Sequence, residues 1–170
     1  LDDADVAQGL REAVQASGPI GGLIYLHWPM GGGQMFADDE VASAQGAFFL
    51  AKHVGGYLRD QPGRTFFLTV TRLDGALGLG DGHNRHGLDG TGQGQSAVAG
   101  GLFGLVKTLR LEWPSVYCRG IDLDPACPAD VGARRIMDEL LDPNTLLAEV
   151  GLSVDWRVTA VPAEVLALSR

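Results

Sequence analysis

The sequence predicts an α/β fold on a mostly parallel sheet. Three observations carry this. Short apolar runs at residues 23–27 (LIYLH), 64–71 (RTFFLTVT) and 116–123 (VYCRGIDL) read as strands covered on both faces. The segments between them carry apolar residues at helical spacing, so helix and strand alternate along the chain. That alternation calls for right-handed crossovers with helices layered on the sheet.

The elements follow in order. Asp2 or Asp3 can cap a first helix with Val6, Leu10 and Val14 on one face, ended by Gly18-Pro19. Strand 23–27 leads into Trp28-Pro29-Met30 and then Gly31, Gly32 and Gly33, where the backbone must turn sharply or lie close to something. Asp38 and Asp39 can cap the next helix, with Val41, Ala44, Phe48, Ala51 and Leu58 toward the core and Pro62-Gly63 as its end. Strand 64–71 is rich in aromatic and β-branched residues. Residues 72–95 form a long glycine-rich loop without periodicity, a length unusual in a compact domain unless the loop has a function.

Residues 96–125 organise the rest of the chain. Val98, Leu102, Leu105 and Leu109 recur at helical spacing, and Pro114 stops the helix because it lacks an N–H and disfavours helical geometry at Trp113. Gly100, Gly101 and Gly104 each cost that helix roughly 1 kcal/mol against alanine, which predicts a large neighbour packed against the bare backbone. Strand 116–123 follows, ending in the acidic pair Asp122 and Asp124. A helix over 130–141 then places Val131, Ile136 and Leu140 inward, and a last strand is expected over 154–161, where Trp156, Val158 and Ala160 alternate with Arg157 and Thr159.

Composition narrows the function. A chain of 170 residues, 45% apolar and 20% charged, reads as one globular domain over 1–170. With 13 basic against 21 acidic residues the net charge is −8, which argues against nucleic acid or an anionic membrane as partner. No apolar run is long enough to span a bilayer and no signal-peptide pattern opens the chain. Cys118 and Cys127 are too few to staple a secreted fold and read as free thiols of a cytoplasmic protein. The abrupt acidic start without methionine predicts a piece of something longer.

Candidate chemistry is sparse. Gly92-Gln93-Gly94-Gln95-Ser96-Ala97 matches the G-x-G-x-x-A pattern that seats a pyrophosphate on a helix N-terminus. It lacks the strand that should precede it, so no cofactor site is assigned there. His83 and His86, with Asp81 and Asp89 nearby, have ligand-like spacing but lie in a glycine-rich loop that offers no firm scaffold, and no metal is assigned. His27 ends a strand, where active-site residues of open α/β sheets lie, yet reads better as a partly buried histidine beside Trp28. Asp122 and Asp124 either bind substrate or cap the turn at Pro125. Cys118 is core filler, and no G-x-S-x-G nucleophile motif is present.

The succession LIYLH, GGG, Gly46-Ala47-Phe48, FFLTVT, GGLFGLVKTLRLEWP and VYCRGIDLDP resembles the second half of a short-chain dehydrogenase/reductase. Residues 104–125 resemble more closely the structural, non-catalytic subdomain of ketoreductases from type I polyketide and polyunsaturated-fatty-acid synthases. Arg72-Leu73-Asp74-Gly75 and Glu149-Val150-Gly151 fit the same family. The resemblance implies a truncated Rossmann-like, three-layer fold. Anchored on Gly104, Leu109 and Glu112, it places the catalytic tyrosine position at Gln95, the lysine position at Ala99, the helix asparagine near Ser43 and the strand-end serine near Thr71 or Arg72. Glutamine and alanine cannot supply a phenolate or the ammonium that tunes it, so no catalytic residue is assigned.

What the resemblance implies is a structural subdomain that stabilises an adjacent NADPH-dependent β-ketoacyl-carrier-protein reductase in a multifunctional synthase. The cofactor would belong to that catalytic subdomain of the same polypeptide, with other synthase domains as further partners. An edge strand left open by missing first strands would recruit its partner. Two alternatives stand: an active α/β enzyme or oxidoreductase of unassigned substrate using His27, Asp122 or the His83–His86 loop, and a carrier-protein docking module. The latter needs a basic patch, for which Lys107, Arg110 and Arg119 are the candidates.

Overall fold

The computed structural model of the chain describes residues 2–27, 38–80 and 97–161. Helix α1 (Asp3–Ser17) is capped by Asp2, whose carboxylate accepts the Asp5 N–H at 2.8 Å, and ends at Gly18 (φ +87°). It leads to β1 (Gly22–Leu26), α2 (Asp38–Arg59), β2 (Thr65–Thr71), α3 (Ala97–Glu112) and β3 (Val116–Leu123). Helix α4 (Ala129–Leu141) precedes two short strands, β4 (Glu149–Leu152) and β5 (Arg157–Val158).

The strands form one sheet in the order β1-β2-β3-β4-β5, parallel except for the last pair. Register alternation assigns the faces. Leu23 of β1, Phe67 of β2, and Val116 and Cys118 of β3 meet Ala51, Val54 and Leu58 of α2 and Val106, Leu109 and Trp113 of α3. On the other face Leu68, Val70, Tyr117, Ile121 and Leu123 meet Val131, Ile136 and Leu140 of α4. Helices α2 and α3 thus share one face while α4 crosses the other. Since all three connections step in the same direction across the sheet, the third has the opposite hand to the first two. The expectation of uniform right-handed crossovers fails at α4.

The sequence placed three further features differently. The expected strand over 154–161 is a hairpin: the Ser153 N–H donates to the Trp156 carbonyl at 3.0 Å, and Trp156 belongs to the turn, with only Arg157 and Val158 returning along β4. Val41 and Phe48 of α2 face outward, Phe48 being 55% exposed, and the inward stripe is Ala47, Ala51, Val54 and Leu58. The packed side of α3 is Ala99, Leu102, Phe103, Val106 and Leu109. Gly100, Gly101 and Gly104 are exposed, and a Cβ on any of them would meet no described atom within 4 Å.

Among the described residues β1 is an edge strand. Tyr25 and Leu23 are covered by α2 and the core behind it. Ile24 and Leu26 point to the opposite face and are 38% and 58% exposed. The Phe66 ring leans over Gly22 on that same face, where a Cβ would lie 2.2 Å from it.

Candidate functional site

The carboxyl ends of β1, β2 and β3 bring most of the singled-out residues together. Thr71 pairs with Asp122 in the ladder, and the His27 N–H donates to the Val70 carbonyl at 2.8 Å, so His27, Thr71 and Asp122 end three neighbouring strands. Such strand ends are where open α/β sheets bind ligands.

His27 is 2% exposed and bound to α2 rather than open to a substrate. Its Nδ1 lies 2.9 Å from Ser43 Oγ, which is also 2.7 Å from the Tyr25 hydroxyl; that hydroxyl donates to the Ser43 carbonyl at 2.6 Å. Ser43 therefore joins the β1 end to the first turns of α2. The His27 Nε2 has no hydrogen-bond partner among the described residues. Burial holds the His27 pKa below its ordinary value against the pull of the Glu40 carboxylate and so favours the neutral ring.

Asp122 is fully buried and spends its carboxylate on backbone. It accepts the N–H groups of Leu73 (2.7 Å), Leu77 (2.9 Å) and Asp74 (3.3 Å), and the Thr71 hydroxyl at 3.2 Å. Asp74 in turn accepts the N–H groups of Ala76, Gly78 and Gly80 at 2.8 to 3.0 Å. These bonds fold residues 72–80 into a compact turn with Gly75, Leu77 and Gly78 at positive φ. The turn lies on the sheet: a Cβ on Gly151 would fall 2.0 Å from the Gly75 carbonyl oxygen, and one on Gly75 would fall 2.8 Å from the Leu152 carbonyl oxygen. Only two glycines facing each other permit this approach.

The two carboxyls titrate as a pair. Burial pushes Asp122 up to about 6, and the neighbouring Asp74 carboxyl adds to the rise against the Leu73, Leu77 and Asp74 N–H groups. For Asp74 burial acts upward too, but the Gly78, Ala76 and Gly80 N–H groups and the Asp122 carboxyl outweigh it and hold the group below its ordinary value. Asp124 accepts the Ala126 N–H at 2.8 Å and its carbonyl accepts the Cys127 N–H at 2.9 Å, so it caps the turn at Pro125.

Of the resemblance-derived positions, Ser43 and Thr71 lie at these strand ends, Thr71 fully buried with its hydroxyl on Asp122 and on the Ile121 carbonyl. Arg72 donates to the Pro125 and Cys127 carbonyls. Ala99 is buried in α3. Gln95, His83, His86, Asp81, Asp89, Gly31–Gly33 and residues 92–96 of the glycine motif lie outside the described residues. Among the described residues no cluster of three or more His, Cys, Asp or Glu is arranged to hold a metal ion, and no described helix is long and apolar enough to cross a membrane. Burial pushes the Cys118 thiol up to about 12, so it stays protonated.

Sequence reasoning missed a buried ion-pair network. Arg119, expected as a surface cation, is wholly buried on β3. It pairs with Glu139 of α4 and, at 2.9 Å, with Asp142, and it donates to the Asn144 and Leu147 carbonyls. Arg157 of β5 binds the same two carboxylates, Glu139 at 2.5 Å and Asp142 at 2.8 Å. Lys107 pairs with Glu149 at 2.7 Å. Of the three cations considered for carrier docking, only Arg110 forms no ion pair with a described residue. The one available signal was an arginine in the middle of a largely apolar strand.

Sheet order, helix layers and strand-end geometry define a short-chain dehydrogenase/reductase fold in truncated form. Over 82% of its length the chain superposes on a short-chain dehydrogenase/reductase from Burkholderia xenovorans (TM-score 0.56, 17% identity, 54% of that protein). Over 90% it superposes on a substituted short-chain dehydrogenase/reductase from Serratia marcescens (TM-score 0.57, 15% identity, 73% of that protein). No protein-family model matches it. In sequence it is similar to one subunit of the polyunsaturated fatty acid synthase of Thraustochytrium sp., 32% identical over 168 residues. That match takes in 96% of this chain but spans only 6% of the synthase polypeptide. The chain is thus a truncated reductase-fold segment similar to a stretch of a much larger synthase polypeptide.

Proposed function

We propose that this chain is the non-catalytic, structural half of a ketoreductase within a multifunctional fatty acid or polyketide synthase. It stabilises an adjacent catalytic half that uses NADPH to reduce a carrier-protein-bound β-ketone. The observation that carries this reading is the β1 edge. GLIYL is composed like a central strand of a parallel sheet, yet it stands at the margin with Ile24 and Leu26 uncovered. A further strand and its helix, supplied by the catalytic half, complete both the ladder and the layer.

The strand ends support the same reading. A nicotinamide needs open space there, with a phenol and an ammonium beside its ribose. In this chain residues 72–80 lie across β4 with backbone in contact with backbone and Asp122 is consumed in holding them, and the resemblance sets Ala99 and Gln95 at the lysine and tyrosine positions. These residues do not fit the cofactor, and no reaction step is assigned to them. Other synthase domains as partners and a cytoplasmic location belong to this reading.

The test is NADPH binding by calorimetry and ketone reduction, measured on the 170-residue chain alone and joined to the neighbouring catalytic half. The expected result is no binding alone, with binding and turnover in the joined form. Micromolar binding by the chain alone would overturn the proposal in favour of an oxidoreductase in its own right.

A further inference from the structure

At the opposite end of the sheet, the amino ends of β2 and β3, a cavity of about 470 Å³ opens between the C-terminus of α3 and the segment after α4. Its floor is Val116, Tyr117 and Cys118, all buried, and its rim carries Arg64, Arg110, Ser115 and Thr145. Both guanidiniums are held in place by neutral partners. Arg64 stacks 4.3 Å above the Tyr117 ring and donates to the Asp142 carbonyl at 2.9 Å; Arg110 donates to the Leu146 carbonyl at 2.5 Å. Neither forms an ion pair among the described residues. The acids behind the floor are already engaged, since Glu139 and Asp142 are matched one for one by Arg119 and Arg157. The local balance is therefore two positive charges, in a chain whose net charge is −8.

A guanidinium carries five N–H donors. One carbonyl apiece leaves most of those on Arg64 and Arg110 unspent, beside two hydroxyls that both donate and accept. Donors carried by separate side chains around one rim suit a tetrahedral oxyanion better than a planar carboxylate. The cavity is also wider than a bare phosphate, which leaves room for whatever the phosphate is esterified to.

We propose that the Arg64–Arg110 cavity binds a phosphate group, either free or as a monoester carried on a partner protein. The chemistry is binding alone: the thiol on the floor, Cys118, is protonated and takes no part. The site is separate from the strand-end region and does not depend on the structural reading above.

The test titrates the 170-residue chain at constant ionic strength with inorganic phosphate, a phosphoserine peptide and acetate, following backbone amides by NMR. Saturable shifts at residues 115–118 and 145 with phosphate are expected, weakened about tenfold for each guanidinium lost in Arg64→Gln and Arg110→Gln. Thr145→Val, which leaves the stacked arginine intact, should weaken binding less and serves if the arginine variants fail to fold. Equal affinity for phosphate and peptide identifies a free phosphate site, and much tighter peptide binding a protein-borne one. Acetate binding as well as phosphate, shifts that do not saturate, or shifts unchanged in all three variants would each overturn the proposal.

Discussion

Two buried ionisable groups at the strand ends pull the pH dependence of stability in opposite directions. Burial keeps a proton on Asp122 up to about 6, against an ordinary value of 3.8, so in that interval the folded chain binds more protons than the unfolded one. Its contribution is full below about pH 4 and is lost as pH rises through 6, worth up to about 3 kcal/mol. His27 does the reverse. Its folded pKa lies below the ordinary 6.5, so its contribution is present above pH 6.5 and is lost as pH falls. In the parent chain the two offset each other. Asp122→Asn removes the first and leaves the second, and its thermal midpoint should fall more steeply than the parent's between pH 6.5 and 4.5. His27→Gln should show the opposite slope. Circular-dichroism melts at five or six pH values decide it; parallel profiles for parent and D122N would mean that Asp122 is ionised throughout.

Single elements show where sequence patterning suffices and where it does not. β3 was legible to the residue because an apolar run lies between two prolines, and β2 to within one residue for the same reason of composition. The final strand was misread because Trp156, Val158 and Ala160 alternate as a strand does, while the alternation belongs to a hairpin whose turn is closed by Ser153. Arg119 was illegible because its partners come from α4 and the segment after it, 20 or more residues away along the chain. That network ties three elements together, and removing its centre strands two carboxylates with one arginine. Arg119→Met should destabilise the chain by about 3 to 5 kcal/mol in urea denaturation. Helix α3 makes the contrary prediction. Gly100, Gly101 and Gly104 face open space among the described residues, so alanine at each should stabilise the chain by roughly 0.8 to 1 kcal/mol through helix propensity alone. Loss of stability on these substitutions would show that a neighbour does press on that face, as the glycine pattern first suggested.

At the scale of the whole molecule the chain is asymmetric. One margin of the sheet is finished: β5 runs antiparallel to β4, is short, and is held by Arg157 to α4 and the segment after it. Among the described residues the other is unfinished, with β1 offering a free ladder and the exposed side chains Ile24 and Leu26, beside the partly buried Phe66 one strand in. Part of this was legible, since an all-apolar strand implies two covered faces; which face lay bare was not, because that depends on α4 crossing opposite to α2 and α3. A single charge on the bare face tests whether the margin is a joint. Leu26→Lys projects away from α2, so the fold of the chain itself should be nearly unaffected, with a melting midpoint close to the parent's. In the chain joined to the catalytic half the lysine would have to be buried unpaired or the halves would have to part. The joined L26K protein should therefore melt in two transitions instead of one, lose most of its ketone reduction, and open to limited proteolysis between the halves. A joined variant that melts once and reduces its substrate at the parental rate would place the contact elsewhere on the molecule.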